Sequence, residues 1–265
     1  MKDVLREFQR KRLPILRNYR FGKSKYYDQL TLLAYTFPED IEGEAFNWIE
    51  FSVLSSWRVL GKLKTVIVAN RHFGKLDAFA SQYEEIEVQI EANLKPGKLG
   101  SMSVDLISNL CWRFNTQNVL VIQDDGWPLR DTLGDFLGRF DYVGAPIFTY
   151  GLHRTILYGI NLACFNGGFS LRSKRFCRYV SRFWNGFAKL FMDENSRHIG
   201  EDFFYCFLAR LNPYAWLKFR FPSELVASRF ATDTLGGHLK LYEGETLGFH
   251  GKDTAERLLA MGKLQ

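Results

Sequence analysis

Apolar and polar positions in this chain fall into blocks that switch between strand and helix periods. Residues 29–35 (QLTLLAY), 65–69 (TVIVA) and 118–122 (NVLVI) are short apolar runs. Runs of that length predict strands covered on both faces. Ile86, Val88 and Ile90 alternate with polar neighbours and predict a half-exposed strand. Between these runs, residues 44–60, 76–82 and 101–114 carry helical periodicity. Strands alternating with helices predict an α/β fold: a mixed, mainly parallel, Rossmann-like sheet flanked by helices. Beyond residue 126 the alternation is less regular. Short strands are predicted at 141–146 and 169–171, and helices at 173–187 and 201–211. Ahead of the first strand, residues 3–13 predict a short helix with Val4, Leu5 and Phe8 on one face, interrupted by Pro14. No repeat, low-complexity segment or linker divides the chain. The expected organisation is a basic N-terminal segment (1–26) and one domain (27–265), whose halves meet near residue 126.

Charge changes the picture at one end. The net charge is +6, yet residues 1–26 hold nine Lys/Arg against Asp3 and Glu7 and so carry +7; the remainder sums to −1. A neutral body with a basic end either meets an anionic surface or polyanion, or carries a solvated basic helix. No apolar run approaches the roughly 20 residues of a membrane span, and the N-terminus has no apolar signal core. The expectation is a cytoplasmic protein, peripheral on the inner face of a membrane. Cys111, Cys164, Cys177 and Cys206 form no CxxC pair, so buried, reduced thiols are expected.

Four motifs carry chemistry. Gln123-Asp124-Asp125-Gly126 follows the fourth strand, where ligands of parallel sheets bind. Carboxylates there suit a hard divalent cation; Asp-Gly is equally a turn pair. Asn166-Gly167-Gly168 either lets backbone approach a ligand or makes a tight turn. Glu201-Asp202 opens a predicted helix, where acids are favoured by the dipole alone; as functional groups they offer a general base. His250, in Gly248-Phe249-His250-Gly251, is either a late metal ligand or a surface His. His72, His153, His198 and His238 show no ligand spacing. His153-Arg154 falls where an acceptor loop is expected.

Taken together, the motifs resemble a glycosyltransferase-like family defined by a domain of unknown function, number 5672. The resemblance rests on Gln123-Asp124-Asp125, Asp141-Tyr142-Val143-Gly144-Ala145-Pro146, Asn166 to Arg172, Glu201-Asp202 and Gly248-Phe249-His250, and spans roughly residues 29–251. A weaker likeness is to inverting β-galactosyltransferases. These resemblances imply a GT-A-like fold and a nucleotide-sugar donor, with UDP expected, bound with Mn2+ or Mg2+. The acceptor they imply is a glycan or glycolipid, as in polysaccharide biosynthesis. By matching positions, Asp125 and His250 become metal ligands. Asp124 touches donor or metal, and Gln123, Asn166, Gly167 and Gly168 line the donor. Asp202 becomes the base, with Glu201 the alternative. Because the motif reads Q-D-D-G and not a plain D-x-D, either Asp qualifies as the ligand. Two other readings stay open. One is a metal-dependent phosphohydrolase, though such sites need more carboxylates. The other is a polyanion- or nucleic-acid-binding protein, including a glycosyltransferase acting on DNA, though no nucleic-acid motif is present.

Overall fold

The computed structural model describes residues 3–37, 46–95, 99–147, 164–191, 200–206, 213–233 and 246–264. Its centre is a six-stranded sheet in the order β3-β2-β1-β4-β6-β5. The strands are β1 (Leu30–Thr36), β2 (Lys64–Ala69), β3 (Ile86–Ile90), β4 (Asn118–Ile122), β5 (Tyr142–Pro146) and β6 (Phe165–Ser173). The first four in spatial order are parallel; β6 runs antiparallel to both β4 and β5. The fold is thus the mixed, mainly parallel α/β sheet that the periodicity predicts. β1 and β4 are buried at every position, as expected of strands covered on both faces.

Helices α2 (Phe46–Leu60), α3 (Gly74–Gln82) and α4 (Leu99–Ser108) lie between the parallel strands along the chain. From β1 the chain winds one way to β2 and β3, then returns to place β4 on the other side of β1. That reversal leaves a crevice beyond the carboxyl ends of β1 and β4, the usual ligand position in such sheets. The Asp pair directly follows β4.

The N-terminal helix differs from its prediction. α1 (Val4–Arg17) continues through Pro14, which is exposed and is followed one turn later by Asn18, whose side chain donates to the Pro14 carbonyl at 2.9 Å. Asp3 caps the start, accepting from the Arg6 N–H at 3.1 Å. The buried stripe is Leu5, Gln9, Leu13 and Leu16, and Val4 is half exposed. Phe8 meets Phe51 of α2 edge-on at 6.0 Å, and Arg17 grips Glu50 with two bonds of 2.6 Å. Leu5, Leu13 and Leu16 belong to the same apolar core as the sheet.

The second half holds α5 (Lys174–Phe191), α6 (Glu201–Cys206), α7 (Pro213–Lys218), α8 (Glu224–Phe230) and α9 (Lys252–Ala260), and a two-stranded pair, β7 (Ala231–Thr232) and β8 (Gly248–Phe249). The Asn-Gly-Gly segment lies inside β6, and is not the turn before a strand. The four cysteines are buried and free of disulfides. Among the described residues no helix is long and apolar enough to cross a membrane.

Candidate active site

The site is assembled by β8. This two-residue strand pairs in parallel with β7, and the His250 N–H donates to the Thr232 carbonyl at 3.0 Å. On its other side, the Gly251 N–H donates to the Asp125 carbonyl at 3.1 Å, and Pro128 bridges to Gly248. The Trp127 and Phe249 rings pack edge-to-face at 4.6 Å. Two glycines permit this approach: a Cβ on Gly126 would sit 2.8 Å from the Phe249 carbonyl oxygen, and one on Gly248 would sit 2.5 Å from the Phe169 ring. The predicted Asp-Gly turn is also present, as a bridge between Gln123 and Gly126.

This threading carries His250 to the Asp pair. Its Nε2 lies 3.5 Å from Asp125 Oδ1 and 2.8 Å from Gln123 Oε1. Its Nδ1 lies 3.2 Å from Asp233 Oδ2, which also accepts from Asn166 Nδ2 at 2.8 Å. The Asn166 side-chain oxygen in turn accepts from the Gly168 N–H at 2.7 Å. A Cβ on Gly168 would fall 2.2 Å from His250 Nε2, so only glycine leaves room for the ring. Of the predicted residues, Gln123, Asp125, Asn166, Gly168 and His250 therefore meet in one cluster.

Electrostatics distinguish the two aspartates. Asp125 Oδ1 is buried with no hydrogen-bond partner, and burial pushes its carboxyl up. Burial disfavours the charged His250 ring, but the Asp233, Asp125 and Asp124 carboxylates outweigh it and raise the imidazole pKa. Asp124 is engaged elsewhere. Its carboxylate pairs with the Arg6 guanidinium, and its carbonyl accepts from Gln9 Nε2 at 2.7 Å and from Arg6 Nη1 at 3.3 Å. Arg6 also lies over the Trp48 ring at 5.0 Å.

The Glu201-Asp202 pair meets the Asn-Gly-Gly segment one residue earlier. A Cβ on Gly167 would clash with the Glu201 carboxylate. Glu201 is buried, with Arg172 donating to its Oε1 at 3.1 Å and Ser103 to its Oε2 at 3.3 Å. Arg172 is fully buried over the Tyr142 and Tyr205 rings. Asp202 is half-buried at the start of α6, its carboxylate folded back over Gly200.

Among the described residues no three His, Cys, Asp or Glu side chains form a ready-made metal centre. The donors nevertheless suit a hard cation. Asp125 offers an orphaned carboxylate oxygen, with the His250 nitrogen and the Gln123 carbonyl oxygen beside it. Mg2+-type sites commonly take one or two carboxylates and complete their shell from substrate phosphates and water.

Three participants escaped the sequence: Arg6, Gln9 and Asp233. Asp233 lies 17 positions before His250 with no motif around it. A polar Gln9 on the apolar stripe of α1 is the one signal the sequence offered. His72 pairs with Asp77 on the surface at 2.8 Å, while His153, His198 and His238 lie outside the described residues.

No curated protein matches this chain. Among solved structures, the glycosyltransferase GlyE of Streptococcus pneumoniae TIGR4 aligns at TM-score 0.49 and 11% identity, over 86% of this chain and 54% of its own. This chain therefore spans about half the length of GlyE. The mannosyltransferase Ktr4p of S. cerevisiae in complex with GDP aligns at 0.46 and 9%, over 79% and 77% of the two chains. Core-mannan synthase A of Aspergillus fumigatus, in an Mn/GDP form, aligns at 0.43 and 9%, over 72% of each. A family model described as "Protein of unknown function (DUF5672)" matches residues 102–250, a span that holds the Asp125–His250 cluster and the Glu201-Asp202 pair but not Arg6, Gln9, Trp48 or Gly251. The match covers more than half of the chain, which therefore belongs to this family.

Proposed function

We propose that this protein is a GT-A-type glycosyltransferase that moves a sugar from a nucleoside diphosphate donor to a hydroxyl of a glycan or glycolipid. The observation that carries the reading is the orphaned Asp125 oxygen facing His250 Nε2 at the carboxyl end of β4. A buried carboxylate oxygen without a hydrogen bond is costly, and a cation relieves that cost. Asp125 and His250, with Gln123 beside them, would hold Mn2+ or Mg2+, whose chemistry is to neutralise the charge growing on a departing diphosphate.

The remaining roles belong to the chain itself. Asp233, held by Asn166, fixes the His250 ring so that Nε2 faces Asp125. Arg6 and Gln9 hold the Asp124 turn, Arg6 through the Asp124 carboxylate and Gln9 through its carbonyl, and so fix Asp125 next to it. Asp202 acts as the base. The acceptor oxygen bonds to the anomeric carbon, the bond to the diphosphate oxygen breaks, and the acceptor proton passes to Asp202. Glu201, committed to Arg172, shapes the Gly167 side of the site. The product has inverted anomeric configuration.

The test is calorimetric titration of UDP- and GDP-sugars with and without Mn2+. One donor is expected to bind only with the metal. Asp125→Asn should abolish that binding while the thermal midpoint without ligand stays within a few degrees. Equal donor binding in EDTA, or full donor binding by Asp125→Asn, would sink the metal assignment. Release of sugar phosphate and nucleoside monophosphate at the same rate with and without acceptors would favour a phosphohydrolase.

A further inference from the structure

A second polar cavity, about 490 Å3 in volume, opens at the opposite end of β4 from the Asp pair, where β6 passes into α5. That volume lies within the roughly 300–1,000 Å3 of small-ligand sites. Lys174, Arg175, Arg178 and Arg220 line it, and its sole lining carboxylate is Asp141.

Asp141 cannot balance these four cations, because its oxygens are already spoken for. It is 1% exposed. Arg175 donates to it through Nε at 2.6 Å and Nη2 at 2.5 Å, Ser173 Oγ at 2.5 Å, and the Arg220 backbone N–H at 2.8 Å. This arrangement neutralises Arg175 and leaves three charges over. Lys174 Nζ donates to the Phe114 carbonyl, and Arg220 Nη2 to the Gly138 carbonyl at 2.5 Å; neither oxygen carries a formal charge. Arg178 has no acidic partner among the described residues. Burial, and then the neighbouring Arg178 charge, lowers the Lys174 ammonium pKa.

Arg178 and Arg220 are exposed and Lys174 is half-buried, so water screens part of the repulsion among these three cavity-lining cations, and an anion in the cavity would relieve the rest. A phosphate group answers that arrangement well, with up to two negative charges and three acceptor oxygens for charge-assisted bonds. We propose that this cavity is a phosphoanion-binding site served by Lys174, Arg178 and Arg220, separate from the Asp125–His250 cluster. The ligand is a phosphomonoester or diphosphate, free in solution or displayed as a lipid headgroup. The inference stands independently of the glycosyltransferase reading.

The test uses the full chain in EDTA, so that the Asp125 cluster recruits no metal-bound diphosphate. Inorganic pyrophosphate is titrated by calorimetry into the wild type, Arg178→Gln, the Arg178→Gln/Arg220→Gln pair and Asp125→Asn. One pyrophosphate per chain is expected. Affinity should fall about tenfold in the single variant and about a hundredfold in the double, the usual worth of charge-assisted bonds. Asp125→Asn should bind like the wild type. In a parallel arm, the same proteins are sedimented with phosphatidylcholine vesicles with and without phosphatidic acid. Acid-lipid binding that the double variant loses and pyrophosphate competes away identifies a headgroup; indifference to vesicles identifies a soluble ligand. The proposal fails if neither probe binds, if the folded double variant binds as well as the wild type, or if Asp125→Asn loses pyrophosphate binding.

Discussion

Two charged centres flank the Asn-Gly-Gly segment, and they solve opposite problems. At Gly167, Arg172 and Glu201 form a direct ion pair: the guanidinium reaches Ser170, the Gly167 carbonyl and Glu201 through Nε and Nη2, its face lies on two tyrosine rings, and Nη1 alone has no partner. At Gly168, His250 faces Asp125 Oδ1 across 3.5 Å, and that oxygen has no hydrogen bond. The first centre spends its charges on holding β6 to α6. In the second, Asp125 Oδ1 stays without a hydrogen bond, and the proposed function places a cation there. A buried ion pair in direct hydrogen-bonded contact serves structure, whereas a buried carboxylate oxygen that lacks a hydrogen bond has capacity left for a ligand. Neighbouring motif residues can thus divide into architecture and chemistry within two positions of sequence.

The comparison is sharpened most by the helix start where both kinds of acid are adjacent. Asp202→Asn should lower turnover by about 10²–10⁴-fold, the usual contribution of a general base. Donor affinity and thermal midpoint should change little. Near-normal turnover, measured as product formed per enzyme at saturating donor, would remove Asp202 from the mechanism, as would a product of retained configuration.

Glu201→Gln should do the reverse. It leaves the Arg172 charge buried without its counter-ion, and breaking such a pair costs about 3–5 kcal/mol. Urea unfolding should show the loss as a lower midpoint at constant slope. If stability is unchanged while turnover collapses, Glu201 is the base and the division between the two centres is wrong.

The mildest effect is expected at Asp233. Its carboxylate touches His250 and Asn166, and the proposed function gives it the role of orienting the His250 ring. Asp233→Asn should weaken Mn2+-dependent donor binding by about 10–100-fold, the typical worth of such a supporting contact. A titration with unaltered metal affinity would show that the ring needs no such support.

The parallel half of the molecule was readable because its signals are local. Unbroken apolar runs such as 30–36 and 118–122 are buried at every position, and helices follow where a 3.6-residue period begins. The second half was read less well. β6 extends from Phe165 to Ser173, although Asn and two glycines argue against a strand at its start. Helices α7, α8 and α9 are short and were not anticipated. Pro14 suggested a break, yet α1 runs on, because the proline faces solvent and the flanking Leu13 and Leu16 are anchored in the core.

The sequence by itself determined the parallel part of the sheet, the place of the Asp pair at a strand end and the motif set that marks the family. These depend on periodicity and on residue types within short spans. Only the tertiary structure decided which distant partners hold the motif residues. Arg6 takes Asp124 from 118 positions away, Arg172 takes Glu201 from 29, and Asp233 reaches His250 from 17. Such pairings follow from how helices and strands pack, and an isolated motif carries no record of the partner that will neutralise its charge.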